Sequence, residues 1–474
     1  MGLPNVMHTG RHAMDVSKGA IATTGHNIAN ANTEGYSRQR VHQATNTPRA
    51  GGGSNQFIGS GAHISRVERL NDEYIEKQIR NASRDVSFME EKDIILKQTE
   101  DIFNEMGGDG LNRLMAKFFN EFRKLANDPD NEAIRQSVRE SSLAIVNDFK
   151  RIRNGVDEIA KHIDSRIEGH VSDVNALCKD IRDINLRIQN LEIAGGTPND
   201  LHDQRDKMIK DLSALIKFSA HKDNEGHICL DAEGIGPLVN GPMHEHLEAR
   251  RTDADPEKGK AAGTMDIFSA HAPQGTVTHL LKGGRLGALI ELRDQTVSSI
   301  VNRLDELAFN LSNAVNESHS QGFTRSGLTG VAFFKQLDSK DDAARKMALS
   351  SELMQSADHI AAAAVPDAPG DNRIAMAIGG VQELRLMSGG RSTVDDFYNS
   401  IVADVGTVTA RNRSGINQQK DIQAQLVKMR DQISGVSIDE ETANLMQYQQ
   451  IYGASAKVIQ VADECLKTVL DLRR

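Results

Sequence analysis

Residues 437–472 read SIDEETANLMQYQQIYGASAKVIQVADECLKTVLDL, a run without proline whose apolar residues recur every three or four positions. This spacing predicts one long amphipathic helix. Ser437 and Glu440 form a capping box, in which each side chain pairs with a free backbone N–H of the first turn. Asp439 and Glu441 add negative charge where the helix dipole favours it. The helix is therefore predicted to begin next to Ser437.

Two apolar stripes run side by side along this C-terminal helix. The first stripe comprises Leu445, Tyr448, Tyr452, Ser455, Ile459, Ala462, Leu466 and Val469. The second stripe comprises Ile451, Ala454, Val458, Val461, Cys465, Thr468 and Leu472. Alternating steps of three and four are the spacing of a coiled-coil seam, and a helix in a two-stranded coil needs only one seam. We therefore expect this helix to have partners on two sides.

The N-terminal residues carry a stripe of the same spacing with smaller side chains. It comprises Leu3, Met7, Gly10, Met14, Ser17, Ile21, Thr24 and Ile28. Pro4 suits a first helical turn, where its missing N–H costs nothing. Gly10 and Gly19 each weaken the helix by ~1 kcal/mol relative to Ala, so the helix needs a partner. We expect the two chain ends to pair with each other and then to pack against further copies.

The sequence TGHNIANANTEGY at 24–36 predicts a sharp corner at the end of the N-terminal helix. Asn30 and Asn32 tolerate the left-handed backbone conformation, and Gly35 can close a turn. Tyr36 is predicted to be the apolar anchor that pins this corner against the C-terminal helix or a neighbouring copy.

The segments between the chain ends predict a helical body with one β-rich insertion. Helical periodicity is present at 70–106, 111–127, 133–193, 297–314 and 394–433. Residues 214–284 instead have short alternating runs separated by Gly and Pro, which is typical of hairpins.

The predicted fold is therefore mainly α with an inserted β-rich domain. Residues 1–40 and 437–474 form a terminal coiled-coil domain. Residues 41–213 and 285–436 form a long-helix bundle body, in which 331–393 is mostly loop with short elements. Residues 214–284 form a small outer β lobe.

The composition excludes several classes of function. The chain has 474 residues and a formal charge of −10, which argues against a nucleic-acid partner because phosphate binding needs a basic surface. The sequence contains no run of about 18 apolar residues, so no membrane span is predicted. The 3 cysteines are far apart and odd in number, so they indicate neither a disulfide framework nor a zinc site. No pattern supplies a nucleophile with a base, so we expect no enzymatic activity and no cofactor.

A metal-binding hydrolase is the alternative from a different class. It would use His221, His227, His244 and His246 in the inserted lobe. These histidines lack the spacing of a known metal motif, and solvated loop histidines are the simpler interpretation. An intracellular coiled-coil scaffold is a second alternative.

Both chain ends are similar to signatures of a known family. SKGAIATTGHNIANANTEGYSRQRV at 17–41 resembles the N-terminal signature of rod, hook and hook-associated proteins of the bacterial flagellum, with Glu34 in place of a usual proline. Residues 434–470 are similar to the C-terminal signature of the same proteins. Segments at 195–216, 286–323, 330–334 and 370–384 resemble the hook-filament junction family, hook-associated protein 1 (FlgK). A hook or rod subunit is the neighbouring alternative.

The resemblance implies a structural subunit of a ring that joins hook to filament, adapts their mechanics, and is needed for filament assembly and motility. It implies export by the flagellar type III system without a cleaved signal peptide, and an extracellular location on the flagellum. The implied partners are further copies of the chain, the hook protein, a second hook-associated junction protein, the export apparatus, and a dedicated chaperone on the C-terminal helix. The residues expected to mediate assembly are Met14, Ile21, Ile28, Asn30, Asn32, Gly35, Tyr36, Leu445, Tyr448, Tyr452, Ile459 and Leu466.

Overall fold

The computed structural model describes residues 3–50, 57–103, 110–223, 226–252, 263–269, 275–368 and 370–471. Leu472, the last member of the second stripe, therefore lies outside the described residues. The helices are α1 (Leu3–Ala29), α2 (Glu73–Phe103), α3 (Leu111–Asn127), α4 (Glu132–Ile193), α5 (Asn199–Leu215), α6 (Gly284–Glu291), α7 (Ser298–Ser320), α8 (Ala343–Lys346), α9 (Ser351–Gln355), α10 (Arg373–Gly380), α11 (Val394–Ser434) and α12 (Ile438–Asp471). The strands are β1 (Gln39–Thr45), β2 (Arg49–Ala50), β3 (Phe57–Ile58), β4 (Ala62–Arg69), β5 (Ser219–Lys222), β6 (Ile228–Ala232), β7 (Gly236–Asn240), β8 (Met243–His244), β9 (Leu247–Arg251) and β10 (Met265–Ser269).

The two terminal helices pack against each other, and a β-hairpin lies on the other side of α1. Strands β1 and β4 pair antiparallel, with a register shift between His42 and Gln43. Gly19 of α1 faces Ile64 of β4 so closely that a side chain at position 19 would displace the end of the Ile64 side chain. This hairpin lies in a range, 41–69, that was predicted to belong to the helical body. Its alternation is too weak to indicate strands, because every strand residue is partly or fully exposed.

Helix α4 is the spine of the body. It has 62 residues, which gives a length of about 90 Å at 1.5 Å per residue. Its first turn is capped by Asn131, whose Oδ1 accepts the backbone N–H groups of Ala133 and Ile134 at 3.0 and 3.3 Å. Helices α2, α3, α5 and α6 pack on α4, and α11 runs along α2.

A cluster of buried aromatic side chains packs between α3 and residues 333–334 of the body. Phe118 of α3 meets Phe333 and Phe334, and Phe122 meets Phe333, with ring centroids 5.5 to 6.2 Å apart. The buried His319 lies beside this cluster. Its Nδ1 is 2.8 Å from the Val331 carbonyl oxygen, and its Nε2 accepts the Ala361 N–H at 2.8 Å. Burial lowers the pKa of His319 to about 4. The neutral ring thus holds two loops of the 331–393 region in place.

The inserted strands form a lobe on the side of α4. Strands β5 to β8 make a four-stranded antiparallel sheet in chain order, and β9 pairs with β10. Asn175 of α4 exchanges two hydrogen bonds with the backbone of Leu247, at 2.8 and 2.9 Å. Arg293, in a π-helical turn after α6, donates to the Met265 carbonyl at 2.5 Å. These polar contacts fix the lobe to the body.

The predicted fold class is confirmed: the protein is mainly helical, with paired terminal helices, a long-helix body and a small β lobe. The strands β5 to β10 lie within the range assigned to the outer lobe, and the region 331–393 holds the short helices α8 to α10. The exact domain boundaries stay a prediction. No helix among the described residues is long and apolar enough to cross a membrane.

Candidate assembly surface

Helices α1 and α12 approach closely because both have small residues where they meet. A Cβ atom added to Gly10 would lie 2.7 Å from Cγ1 of Ile459, which is closer than real side chains come. Ser17 and Thr24 follow Gly10 at intervals of seven and are buried, as are Ser455 and Ala462 on α12. Small residues at seam positions let the two backbones approach each other.

The first stripe of α12 lies on the side of α1. Its members Leu445, Tyr448, Ile459 and Leu466 are half-buried, whereas Tyr452 is exposed. On α1 the predicted assembly residues are half-buried too. They are Met14, Ile21 and Ile28.

The second stripe of α12 faces solvent. Val458 is 45% and Val461 is 57% exposed, and Ile451 and Cys465 are exposed as well. Only Glu441, Ser455 and Ala462 of α12 are buried. The helix therefore carries an apolar face that this single chain leaves uncovered.

Asn27 is the centre of the corner where the chain leaves α1. Its Oδ1 accepts the Tyr36 hydroxyl at 2.7 Å and the Gln39 N–H at 2.9 Å. Its Nδ2 donates to the Gln39 carbonyl at 2.9 Å and to Oε2 of Glu441 at 3.1 Å. One buried amide thus ties α1, the β1 strand and α12 together.

A charge cluster links the corner to the first turn of α12. Glu441 is 2% exposed, and its Oε1 accepts Nε and Nη2 of Arg38 at 2.7 and 2.6 Å. Glu440 accepts from Nη1 of the same arginine at 2.8 Å. The Glu440 N–H lies 3.4 Å from Oγ of Ser437, which fits the predicted cap, while the Glu440 carboxylate turns to Arg38.

The body holds the corner from the opposite side. Asp203 of α5 accepts the Ser37 N–H at 3.0 Å and also Nη1 of Arg69 at 3.0 Å. Arg430 of α11 donates to the Tyr36 carbonyl at 2.9 Å and pairs with Glu76 at 3.3 Å. Contacts from α5 and α11 therefore set the direction in which the chain enters the body.

The residues predicted to form the turn lie at this corner. Gly35 has φ of +86°, a conformation that favours glycine. The side-chain Nδ2 of Asn30 donates to the His26 carbonyl at 3.1 Å, and Asn32 is exposed. The neighbouring Glu34 is paired with Lys210 and Lys207, which lower its pKa. Gly35 thus takes the turn conformation that was predicted, whereas neither Asn30 nor Asn32 has a positive φ, and Glu34 adds a link to α5.

Tyr36 makes polar contacts in addition to the apolar contact that was predicted for it. It is half-buried, and its ring meets His26 edge-on at 5.6 Å between centroids. Its hydroxyl is hydrogen-bonded to Asn27, and burial together with Asp200 and Asp203 raises its pKa. Its apolar ring supports the corner, and its hydroxyl fixes the Asn27 amide.

Sequence reasoning missed the residues that clamp this corner. They are Asn27, Arg38, Asp203, Arg430 and, in this role, Glu441. Asn27 and Glu441 are 414 positions apart, so no local pattern connects them. Asn27 also lies beside the apolar stripe of α1, whose members here are Thr24 and Ile28, so the periodicity gave no signal for it.

Three of the four histidines proposed as metal ligands in the inserted lobe have separate partners, and the fourth, His246, is exposed. His221 pairs with Asp231, His227 with Asp223, and His244 with Arg182. In the described ranges, no three His, Cys, Asp or Glu side chains are grouped as metal ligands would be.

A match at the C-terminal end of the chain identifies the class of protein. Residues 431–472 match the family described as flagellar basal body rod FlgEFG protein C-terminal, and this range contains α12. The fold and the paired ends therefore belong to a structural protein of the bacterial flagellum.

The middle of the chain gives the particular family. Residues 96–334, half of the chain, match the flagellar hook-associated protein FlgK helical domain. The chain belongs to the FlgK family of flagellar hook-associated proteins, which confirms the resemblance found in the sequence.

Individual relatives agree with this assignment. The chain is 28% identical to flagellar hook-associated protein 1 of Bacillus subtilis, over 98% of this chain and 97% of the relative. It is 25% identical to the protein of the same name from Salmonella typhimurium, over 98% and 99%. The solved structure of the flagellar hook junction protein FlgK from Burkholderia pseudomallei matches with a TM-score of 0.65 at 14% identity, covering 75% of this chain and all of that one. This last likeness concerns the fold alone.

Proposed function

We propose that this protein is a subunit of the ring that joins the flagellar hook to the filament. In this role it adapts the flexible hook to the stiff filament, and filament assembly and motility depend on it. The relatives are named hook-associated protein 1 and hook junction protein, and the helical domain of that family covers half of this chain.

The exposed second stripe of α12 is the observation that carries this proposal. Fully burying a Val or Ile side chain stabilises by about 1.5–3 kcal/mol, and Ile451, Val458 and Val461 still expose 41–57% of their surface, so covering each of them gains roughly half of that amount. Copies of the chain that cover one another's stripes gain this energy at every contact. We therefore assign the stripe to contacts between subunits of a ring.

The domain boundaries proposed from the sequence suit this arrangement. Residues 1–40 and 437–474 line an inner tube, 41–213 and 285–436 form the next layer, and 214–284 lie outside. The Asn27–Glu441 corner is the joint between tube and body. Because Arg38 and Arg430 link the joint to α12 and α11, each copy leaves the tube at the same angle.

Export and further partners are the next part of the proposal. The chain leaves the cell through the flagellar type III system with an uncleaved signal and resides on the extracellular flagellum. A dedicated chaperone covers α12 before export, because two apolar stripes would otherwise be exposed to water. In the flagellum its partners are the hook protein and a second hook-associated junction protein.

A hook or rod subunit is the alternative of the same kind. The C-terminal match at 431–472 is shared with rod proteins and does not distinguish them. The match at 96–334 is to the hook-associated helical domain and favours the junction. The metal-dependent hydrolase has no supporting arrangement among the described residues.

Deleting the gene tests the proposal. The expected phenotype is hooks without filaments, loss of motility, and flagellin released into the medium. A strain that lacks hooks altogether would indicate a hook or rod subunit instead. Retention of the intact chain inside wild-type cells would indicate an intracellular scaffold.

A further inference from the structure

The exposed second stripe of α12 needs a covering surface on a neighbouring copy, and symmetry decides what kind of surface this is. Two stripes that faced each other would form a self-complementary contact, which closes as a dimer and joins no third copy. In a ring of more than two equivalent copies, each copy instead presents two different surfaces, one that docks and one that receives. Under the proposed ring function, on which this inference rests, the chain therefore carries a receiving surface.

The β1–β4 hairpin covers one side of α1 and leaves the opposite side open. Gly19 of α1 faces Ile64 of β4, which marks the covered side. Roughly opposite Gly19, at 100° per residue, lies a row of three apolar residues at intervals of seven. They are Met7, Met14 and Ile21, and all three are half-buried. This row is therefore open to contact with another chain.

Helix α12 adds two apolar side chains beside this row. The buried Ser455 and Ala462 mark the line along which α12 contacts α1. At 100° per residue, Tyr452 and Ile459 lie on one side of this line, and the second stripe lies on the other. Tyr452 is 38% exposed and Ile459 is half-buried. These two side chains are therefore turned away from the second stripe.

The row on α1 and the two side chains of α12 lie on the same side of the helix pair. The helices are antiparallel, because Gly10 lies against Ile459 and Asn27 is hydrogen-bonded to Glu441. Each set is turned from the buried contact line of its own helix by roughly 60° in the same rotational sense, and in an antiparallel pair equal turns point to the same side. The five residues thus form one shallow apolar surface, which we call the α1–α12 groove. The second stripe lies on the opposite side of the pair.

The charges of the two helices favour contact between α12 of one copy and α1 of another. Helix α12 has six acidic and two basic side chains, whereas α1 has two basic and one acidic. The two basic residues of α1, Arg11 and Lys18, are exposed next to the groove. Among the described residues, neither of them forms an ion pair. An acidic α12 is attracted to this rim and repelled by a second α12.

We propose that the second stripe of α12 in one copy docks into the α1–α12 groove of the next copy. The occupant of the groove is thus a second copy of this chain. Because the docking and receiving surfaces lie on opposite sides of the helix pair, the same contact repeats from copy to copy around the ring. Docking covers Val458 and Val461 of the stripe together with the half-buried side chains of the groove.

A native cysteine makes this contact testable by disulfide cross-linking. Cys465 belongs to the second stripe and is exposed, whereas Cys178 and Cys229 are buried. A cysteine placed in the groove should therefore lie close to Cys465 of the neighbouring copy. Copper phenanthroline with dissolved oxygen oxidises the two thiols to a disulfide, and the product migrates as a dimer on a non-reducing gel.

Three groove variants are compared in flagella isolated from the deletion strain that expresses them. They are Met7→Cys, Met14→Cys and Ile21→Cys. These positions are seven residues apart, about 10.5 Å along the helix, so that one of them lies within about 5 Å of the axial level of Cys465 wherever the neighbour docks in the groove. We expect at least one variant to shift from the mass of a monomer to that of a dimer. Adding Cys465→Ser to that variant should abolish the shift.

The adjacent exposed positions of α1 provide matched controls. They are His8→Cys, Asp15→Cys and Ala22→Cys. Each control cysteine lies 100° further round the helix than its partner in the groove, away from the contact line with α12. We expect all three control variants to remain monomeric under the same oxidation.

Three outcomes in isolated flagella would overturn the inference. The first is a disulfide dimer of the wild type through Cys465 alone, because it would show that stripe meets stripe. The second is the absence of a dimer from all three groove variants, and the third is an equal yield of dimer from the control variants. These outcomes leave the junction role standing, whereas absence of the chain from isolated wild-type flagella would contradict that role itself.

Discussion

Replacing Glu441 by alanine should open the corner between the inner helices and the body. Glu441 is buried and holds two groups at once, Arg38 through Oε1 and Asn27 through Oε2. Its neighbour Glu440 contacts the same arginine but is exposed. The two glutamates therefore form a matched pair that differs mainly in burial.

The expected magnitudes follow from this difference. Removing one member of a fully buried ion pair costs about 3–5 kcal/mol, because the other charge is left unpaired. Arg38 retains some access to water and keeps Glu440 as a partner, so we expect about 2–3 kcal/mol for Glu441→Ala. For Glu440→Ala we expect less than about 1 kcal/mol, as for other exposed pairs.

Hydrogen exchange of the purified chain measures this opening locally. Peptides covering residues 26–40 and 438–446 should exchange roughly 30- to 150-fold faster in Glu441→Ala than in the wild type. Glu440→Ala should change the rate by less than about fivefold. Equal effects of the two substitutions would refute the clamp, because burial would then make no difference.

Three other predictions concern single groups. Gly25→Ala should stabilise α1 by up to ~1 kcal/mol, because nothing lies close to Gly25. Gly10→Ala should lose this gain, because the added methyl group overpacks against Ile459 at a cost of about 1–3 kcal/mol. Hydrogen-exchange rates in α1 compare the two variants, and equal rates would mean that α12 is not packed at Gly10. Tyr36→Phe should cost about 1 kcal/mol in the same local exchange, because Asn27 loses a hydroxyl donor, and an unchanged rate would contradict that hydrogen bond. The pKa of His319 is about 4 in the folded chain, so as the pH falls the unfolded chain takes up the proton first. The free energy of unfolding should therefore fall by up to roughly 3 kcal/mol between pH 6.5 and pH 4, which denaturant titrations measure. An NMR titration of the His319 ring that centres near pH 6.5 would contradict this prediction.

The sequence predicted the long helices closely because their signals are local. Helix α3 begins and ends where periodicity placed it, and α4, α11 and α12 differ by one or two residues from the expected ranges. Each has a continuous apolar period, and α4 and α12 also have capping residues that mark their starts. Two stripes on α12 were likewise visible, because a stripe depends only on spacing.

The corner clamp and the β1–β4 hairpin could not be predicted in the same way. Glu441 contributes to the helix dipole by its position, but its burial depends on Arg38 and Asn27, which are about 400 positions away. The hairpin is stabilised by packing on α1, and its own residues alternate too weakly to indicate strands. Long-range polar contacts leave no period in the sequence.

The central claim is that the outward stripe of α12 joins one subunit to the next, and Val461→Asp tests it most directly. Val461 is exposed in the single chain, so this substitution should leave the purified protein's unfolding midpoint and its exchange in α1 unchanged. Gln460→Asp adds the same charge to the adjacent exposed position, on a different face of the helix, and serves as the control. Expressed in the deletion strain, Gln460→Asp should restore filaments and motility, and Val461→Asp should not. Wild-type filaments on cells that carry Val461→Asp would contradict the account.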